Sequence, residues 1–265
     1  MYVSLVGLNH STTPVTIREK VAVGVEQLQD CLSLLHHYVP YGIILPTCNR
    51  TEVYTTSSDG KLGVEASIKF LKAHSDIPDV SLLRYVYIHQ GEAVVEQLFK
   101  VACGLDSVVV GEYEALGQIG QALEAAERVK MVNLPLRHIF RSAIRLGRQV
   151  REETGISKNA PSVSEEIIAA EVAKFTFWGQ ALEVSSLVSA LMRKAEDVRC
   201  TQLNKTLKKL RPLSDEEQDS LEAMTKSIVT KILQDPIRHL KTNGSSNDYA
   251  EIVSELFHLD REKRG

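Results

Sequence analysis

Through the first 160 residues the apolar positions switch between strand-like alternation and the 3-4 spacing of helices, and beyond them only helical spacing remains. The stretch YVSLVGL is β-rich and stops at NHSTTP, a cluster of turn formers closed by Pro14. In VEQLQDCLSLLHHY, residues Leu28, Cys31, Leu32 and Leu35 fall on one helical face. YGIIL and TEVYTT then read as two strands joined through PTCNR, which sets Cys48 where a strand gives way to a turn. Two more helices are expected at KLGVEASIKFLKAH and GEAVVEQLFKVACGL, with the β-rich LRYVYIH between them. GLDSVVVGEYEALGQIGQALEAAERV opens as a glycine-punctuated loop and closes as a helix. A further helix runs from about Leu134 to the breaker ETGISKNAPS at 153–162, the best domain boundary in the chain.

Residues 164–211 hold a single glycine, Gly179, and no proline. A stretch of that length exceeds an ordinary globular helix, so two long helices or one long kinked helix are expected. After Pro212, Ser214 and Glu217 are spaced as a capping box, and Leu221, Met224, Ile228 and Ile232 mark one face of the helix that follows. A last helix carries Tyr249, Ile252, Val253, Leu256 and Phe257. So few helical residues have little scope for a core of their own. The second half is therefore expected to bury its apolar face against a second copy of the chain. The fold class expected is α+β: a catalytic domain with a small, mostly antiparallel sheet at 1–163, followed by an all-α dimerisation domain at 164–265.

Composition narrows the class. With 43% hydrophobic and 25% charged residues the chain is globular. No apolar run nears the roughly 20 residues that span a bilayer, and MYVSLVGLNH lacks the layout of a signal peptide. A cytoplasmic protein without membrane attachment is expected. The four cysteines, Cys31, Cys48, Cys103 and Cys200, lie far apart with no ligand spacing to a histidine, which argues against a zinc site or a disulfide framework. A net charge of −3 argues against a surface that binds nucleic acid everywhere, though local basic stripes remain open.

Among candidate chemical groups Cys48 stands out by its neighbours. Arg50 could favour a thiolate or bind a carboxylate, and Asn49 offers an amide to a developing oxyanion. Cys31 and Cys103 fall on apolar helix faces and read as core. His10 and His89 sit at strand ends near the same region. Arg137, Arg141, Arg145, Arg148 and Arg151 line one helical stripe about 120° wide. It reads either as a solvated face paired with acids or as a track for a phosphate backbone. Neither G-x-G-x-x-G nor G-x-x-x-x-G-K-[ST] occurs.

Taken together, GLNHSTTPVTIREKV at 7–21, LPTCNRTEVY at 45–54, VACGLDSVVVGEYEALGQI at 101–119, RLGRQVREETGIS at 145–157 and DPIRHLK at 235–241 resemble glutamyl-tRNA reductase. The resemblance implies that Cys48 attacks the ester of glutamyl-tRNA to form a thioester, which NADPH reduces to glutamate 1-semialdehyde, the first step of tetrapyrrole synthesis. It implies a role for His89 near the reacting centre and substrate contacts from Thr47, Asn49, Arg50, Ser107, Glu112, Tyr113, Glu114 and Gln118. Tyr113-Glu114 stands where the family often has Pro-Gln. A homodimer through the C-terminal helices is implied, as is the next pathway enzyme, glutamate 1-semialdehyde aminomutase, as a partner.

One departure is larger. The family's Rossmann-type NADPH domain is absent between 163 and 164, where NAPSV runs straight into SEEIIAAEVAKFTFW. The binding site for NADPH is thus expected to be missing from this chain, which should form the thioester without reducing it. Two other readings stay open: a non-catalytic tRNA-binding or regulatory dimer, and a thiol-dependent glutamyl-tRNA hydrolase.

Overall fold

The computed structural model describes residues 2–75, 77, 82–106, 114–154, 160–243 and 247–259. The chain divides into two compact units, the first ending at Phe175 and the second beginning at Thr176.

In the first unit the elements are β1 (Tyr2–Asn9), α1 (Val15–Val21), α2 (Leu28–His36), β2 (Tyr41–Pro46), β3 (Arg50–Ser57), α3 (Gly60–Ser75), β4 (Tyr87–Gln90), α4 (Glu92–Ala102), α5 (Glu114–Arg128) and α6 (Leu134–Thr154). The strands form one sheet in the order β2-β3-β1-β4, and every pairing is antiparallel. Leu5 pairs with Tyr54 and His89, and Gly7 pairs with Glu52 and Tyr87. Because side chains alternate across a strand, Arg50, Glu52, Tyr54 and Tyr87 share one face, while Val53 and Thr55 share the other.

Helices cover both faces. On the Thr55 side α2 and α3 pack on the sheet. On the Tyr54 side the Phe140 ring of α6 meets the Tyr54 ring edge-on at 5.1 Å, and Asn133 Nδ2 donates to Thr56 Oγ1 at 2.7 Å. This double cover explains why the polar-looking TEVYTT is buried throughout. At the β2 edge, Gly42 N donates to Met131 O at 2.9 Å, which ties the strand to the loop after α5. Two glycines are required by close approach. A Cβ on Gly7 would lie 2.6 Å from the Tyr87 ring, and one on Gly147 would lie 2.6 Å from the Ala102 carbonyl where α6 crosses α4.

The helix α7 spans Ala160–Leu207, and the division between the units falls within it. Ile167, Ile168, Val172 and Phe175 pack on the core of the first unit. The compact unit therefore ends later along the chain than the 163/164 boundary suggested by the sequence. Residues 164–207 form a single helix rather than two.

The second unit holds the rest of α7 with α8 (Asp215–Asn243) and α9 (Asn247–Leu256). The expected capping box is formed: Ser214 N donates to Glu217 Oε2 at 2.9 Å and Glu217 N to Ser214 Oγ at 3.2 Å. Its buried core is small, built on Leu191, Leu233 and Leu259 with Val229 and Ile237 packed against them. Arg199 of α7 holds Glu196 with two bonds of 2.8 and 2.6 Å and reaches Thr225 Oγ1 of α8 at 3.1 Å. Met224, Ile228 and Ile232, the face singled out in the sequence, point away from that core and are exposed.

Two outcomes are expected. Gly7→Ala should cost about 1–3 kcal/mol in urea unfolding, because the Tyr87 ring has to leave its place; an unchanged midpoint would contradict the close approach. The Arg199 guanidinium holds the Glu196 carboxyl down at about 2, so its contribution to stability is present above the usual carboxylate range and is lost as pH falls towards that value. Glu196→Gln should therefore flatten part of the stability decline on acidification, read from urea midpoints at a series of pH values.

Candidate active site

Cys48 sits at the apex of the turn between β2 and β3. Thr47 N donates to Arg50 O at 2.8 Å, closing the turn. The Thr47 hydroxyl accepts from Asn49 N at 3.2 Å and from Arg50 N at 3.1 Å, which occupies the two backbone donors that follow Cys48. Cys48 itself is exposed, whereas Cys31 and Cys103 are buried and Cys200 is intermediate. Burial raises the Cys31 thiol, with Asp30 adding to the effect. Burial likewise pushes the Cys103 thiol up to about 12 against the opposing charge of Arg151. The buried pair is thus held protonated, and the accessible thiol is on the turn.

Beneath the turn the side chains of β3 enter a buried polar network. Arg50 Nη1 donates to Glu52 Oε1 at 3.2 Å and to Asp106 Oδ2 at 2.6 Å, and Nη2 donates to the Asp106 carbonyl. Glu52 is completely buried and also accepts from Tyr54 Oη at 2.7 Å, Tyr87 Oη at 2.5 Å and Gln97 Nε2 at 3.2 Å. Gln97 Nε2 donates as well to Asp106 Oδ2 at 2.7 Å. Burial disfavours the charge on Arg50, but the carboxylates of Glu52 and Asp106 more than restore it. Burial and then the Glu52 charge raise both phenols, which keeps them protonated as donors. Asp106 retains 29% side-chain exposure, so the network opens to solvent on that side.

The other expected residues are distributed unevenly. His89 lies half-buried on β4 with its ring 5.5 Å from that of Tyr87. Its partner Leu5 is four residues along β1 from Asn9, which pairs with Arg50. At ordinary strand spacings this sets its Cα about 16 Å from that of Arg50, so the sheet does not bring the imidazole to the turn. Glu114 and Gln118 meet each other on α5, with Gln118 Nε2 donating to Glu114 Oε1 at 3.3 Å. Ser107, Glu112 and Tyr113 lie outside the described residues. In the arginine stripe, Arg137 and Arg141 pair with Glu127 at 2.8 and 3.6 Å, and Arg145 pairs with Glu171 at 3.1 Å. These three pairings match the reading of a solvated face balanced by acids.

Sequence reasoning did not single out Glu52, Tyr87, Gln97 or Asp106. One signal was present: in a strand, Arg50, Glu52 and Tyr54 must share a face, and a charged pair on a covered face requires partners. Among the described residues no group of three or more His, Cys, Asp or Glu is placed to hold a metal. None of the described helices is long and apolar enough to cross a membrane.

Glu52→Ala strips one carboxylate from two phenols, an amide and a guanidinium. It should cost about 3–5 kcal/mol, whereas Tyr87→Phe, which leaves Glu52 three donors, should cost about 1 kcal/mol. Urea denaturation of both variants checks the order; equal small losses would show that the network does not bear on stability.

Comparison with known proteins agrees with this architecture. The family model described as "Glutamyl-tRNAGlu reductase, N-terminal domain" matches residues 6–154, and that described as "Glutamyl-tRNAGlu reductase, dimerisation domain" matches residues 164–259. Glutamyl-tRNA reductase of Desulfitobacterium hafniense is 37% identical over 179 residues, covering 67% of this chain and 40% of that protein. The protein of the same name from Pseudoalteromonas translucida is 33% identical over 227 residues, covering 82% of this chain and 53% of its own. The chain thus spans about half the length of the relatives it matches. The solved glutamyl-tRNA reductase of Methanopyrus kandleri shares the fold at a TM-score of 0.66 and 15% identity, covering 97% of this chain and 99% of that one. On the two domain matches, which together take in both units, the chain belongs to the glutamyl-tRNA reductase family.

Proposed function

We propose that this chain accepts the glutamyl group of glutamyl-tRNA on Cys48, the acyl-transfer half of the reaction for which its family is named. The observation that carries the reading is the position of Cys48: the one exposed cysteine of the four stands on a turn braced by Thr47 and rooted in a buried network. In the proposed step the thiolate sulfur attacks the ester carbonyl carbon. A C–S bond forms, the C–O bond to the terminal ribose breaks, and the ribose oxygen takes up the proton that the thiol released to solvent. An aminoacyl ester is an activated donor, and the thioester formed from it remains electrophilic. Thr47 and Asn49 would frame the bound group from the turn, joined by Ser107, Glu112, Tyr113, Glu114 and Gln118, while Arg50, turned inward onto Glu52 and Asp106, would hold the base of that turn instead of the substrate contact expected of it. His89 would act through Tyr87, its ring neighbour.

In the family's full scheme the thioester is reduced by hydride from NADPH. Two observations on the described residues support the reading that this chain lacks a site for that cofactor. The two domain matches are separated only by residues 155–163, and the sheet of the described residues is wholly antiparallel, without the parallel strand-helix-strand unit that holds a dinucleotide. No step is therefore routed through NADPH, and the thioester is expected to discharge to water, releasing glutamate. Under this reading the chain makes no semialdehyde, so the aminomutase of the next step would have nothing to take from it. The exposed Met224, Ile228 and Ile232 supply an apolar face of the kind a homodimer would cover.

Incubation with glutamyl-tRNA followed by intact-mass analysis should reveal a hydroxylamine-sensitive glutamyl adduct on the native chain and none on Cys48→Ser. Turnover unchanged in Cys48→Ser would favour the non-catalytic scaffold. Semialdehyde formed only when NADPH is added would overturn the expectation that reduction is absent.

A further inference from the structure

The end of the sheet that carries Cys48 holds a second arginine. Arg18 lies on α1, half-buried, and its Nη1 reaches two oxygens of Asn49, the carbonyl at 3.4 Å and the side-chain oxygen at 3.5 Å. Asn49 follows Cys48 directly, so these bonds join α1 to the turn that bears the thiol. The two arginines beside that turn differ in how their charge is met. Arg50 lies between two carboxylates, Glu52 and Asp106. Arg18 has no carboxylate partner among the described residues; the oxygens it reaches are neutral, and hydrogen bonds to neutral oxygens do not cancel a positive charge.

A second observation points to the same place. Among the described residues three buried side-chain polar atoms lack a hydrogen-bond partner, and two of them are Arg18 Nε and His10 Nδ1. His10 follows Asn9, which is paired with Arg50 at the end of β1, so both orphaned atoms lie at the end of the sheet where the Cys48 turn begins. Folded proteins leave few buried polar groups unsatisfied, and those that persist mark places where a water, an ion or a functional role has to be accounted for. Among the described residues, the charges on the same elements are the exposed Glu19 and Lys20 on α1, of opposite sign, and the Arg50, Glu52 and Asp106 set, in which one cation faces two carboxylates. That surplus of negative charge would oppose a thiolate on the turn unless another cation offset it.

We propose that Arg18 is a positioning residue for Cys48: it clamps the Asn49 peptide to α1 and supplies the unmatched positive charge that favours the thiolate. The proposal rests on the reading of Cys48 as the acyl acceptor, and its test is separable from that reading because thiolate reactivity is measured without tRNA. The rate of Cys48 alkylation by iodoacetamide is followed against pH by peptide mass spectrometry in the native chain, Arg18→Lys, Arg18→Gln and Arg18→Ala, with Cys31 and Cys103 as internal monitors of folding.

Arg18→Ala and Arg18→Gln should move the midpoint of the pH-rate profile upward by roughly one unit, a loss of about tenfold in rate at neutral pH. Arg18→Lys, which keeps the charge but not the fork, should hold the midpoint near the native one. A common midpoint in the native chain, Arg18→Gln and Arg18→Lys would overturn the proposal. If Arg18→Ala fails to fold, as exposure of Cys31 and Cys103 to the reagent would show, the Gln and Lys variants still decide it. Separated midpoints in a chain that takes no glutamyl group from glutamyl-tRNA would uphold Arg18 and sink the acyl-acceptor reading alone.

Discussion

A carboxylate with no access to water, that of Glu52, sets the terms for the first unit. A buried anion is tolerated only where donors surround it, and here the donors arrive from Tyr54 and Arg50 on the same strand, Tyr87 on β4 and Gln97 on α4. Gly7 leaves room on β1 for the Tyr87 ring to reach it. Sliding any one of these elements would strand the charge, so the network specifies how β4 and α4 sit on the central strands. Such networks are weak evidence for net stability, since hydrophobic replacements can do as well; their use here lies in fixing register. β3 begins at Arg50, and the turn that presents Cys48 is rooted in the same cluster.

That arrangement separates two tasks. Arg50 is turned inward and spends its donors on Glu52 and Asp106, holding the start of β3. The turn above it is left to expose a thiol on a rigid hairpin, a setting that keeps a reactive group accessible without surrendering its position. Arg18 approaches from α1 and reaches Asn49, with no carboxylate partner among the described residues.

The second unit follows different physics. A small cluster on Leu191, Leu233 and Leu259 and the Arg199 bridge hold its helices, yet long apolar side chains on α8 stay exposed. The helical spacing of Leu221, Met224, Ile228 and Ile232 was legible from the residues alone, but the spacing carries no record of what covers the face. Within the chain it is the neighbouring positions Val229, Leu233 and Ile237 that turn inward.

The residue pattern by itself determined the strands, most helices, the capping box at Ser214 and the place of Cys48 at a strand end, because each depends on contacts a few residues apart. It left α1 unread, since seven residues behind a turn-forming cluster are too few to display a helical period. LRYVYIH read as one β-rich stretch, but only Tyr87–Gln90 pairs with β1, where the register supplies a partner strand. The tertiary structure alone decided which charges meet. Arg50 finds Asp106 and Arg145 finds Glu171 across separations of 56 and 26 residues. Ion pairing over such distances follows from how helices stack on a sheet, and no local pattern of hydrophobic and polar residues encodes it.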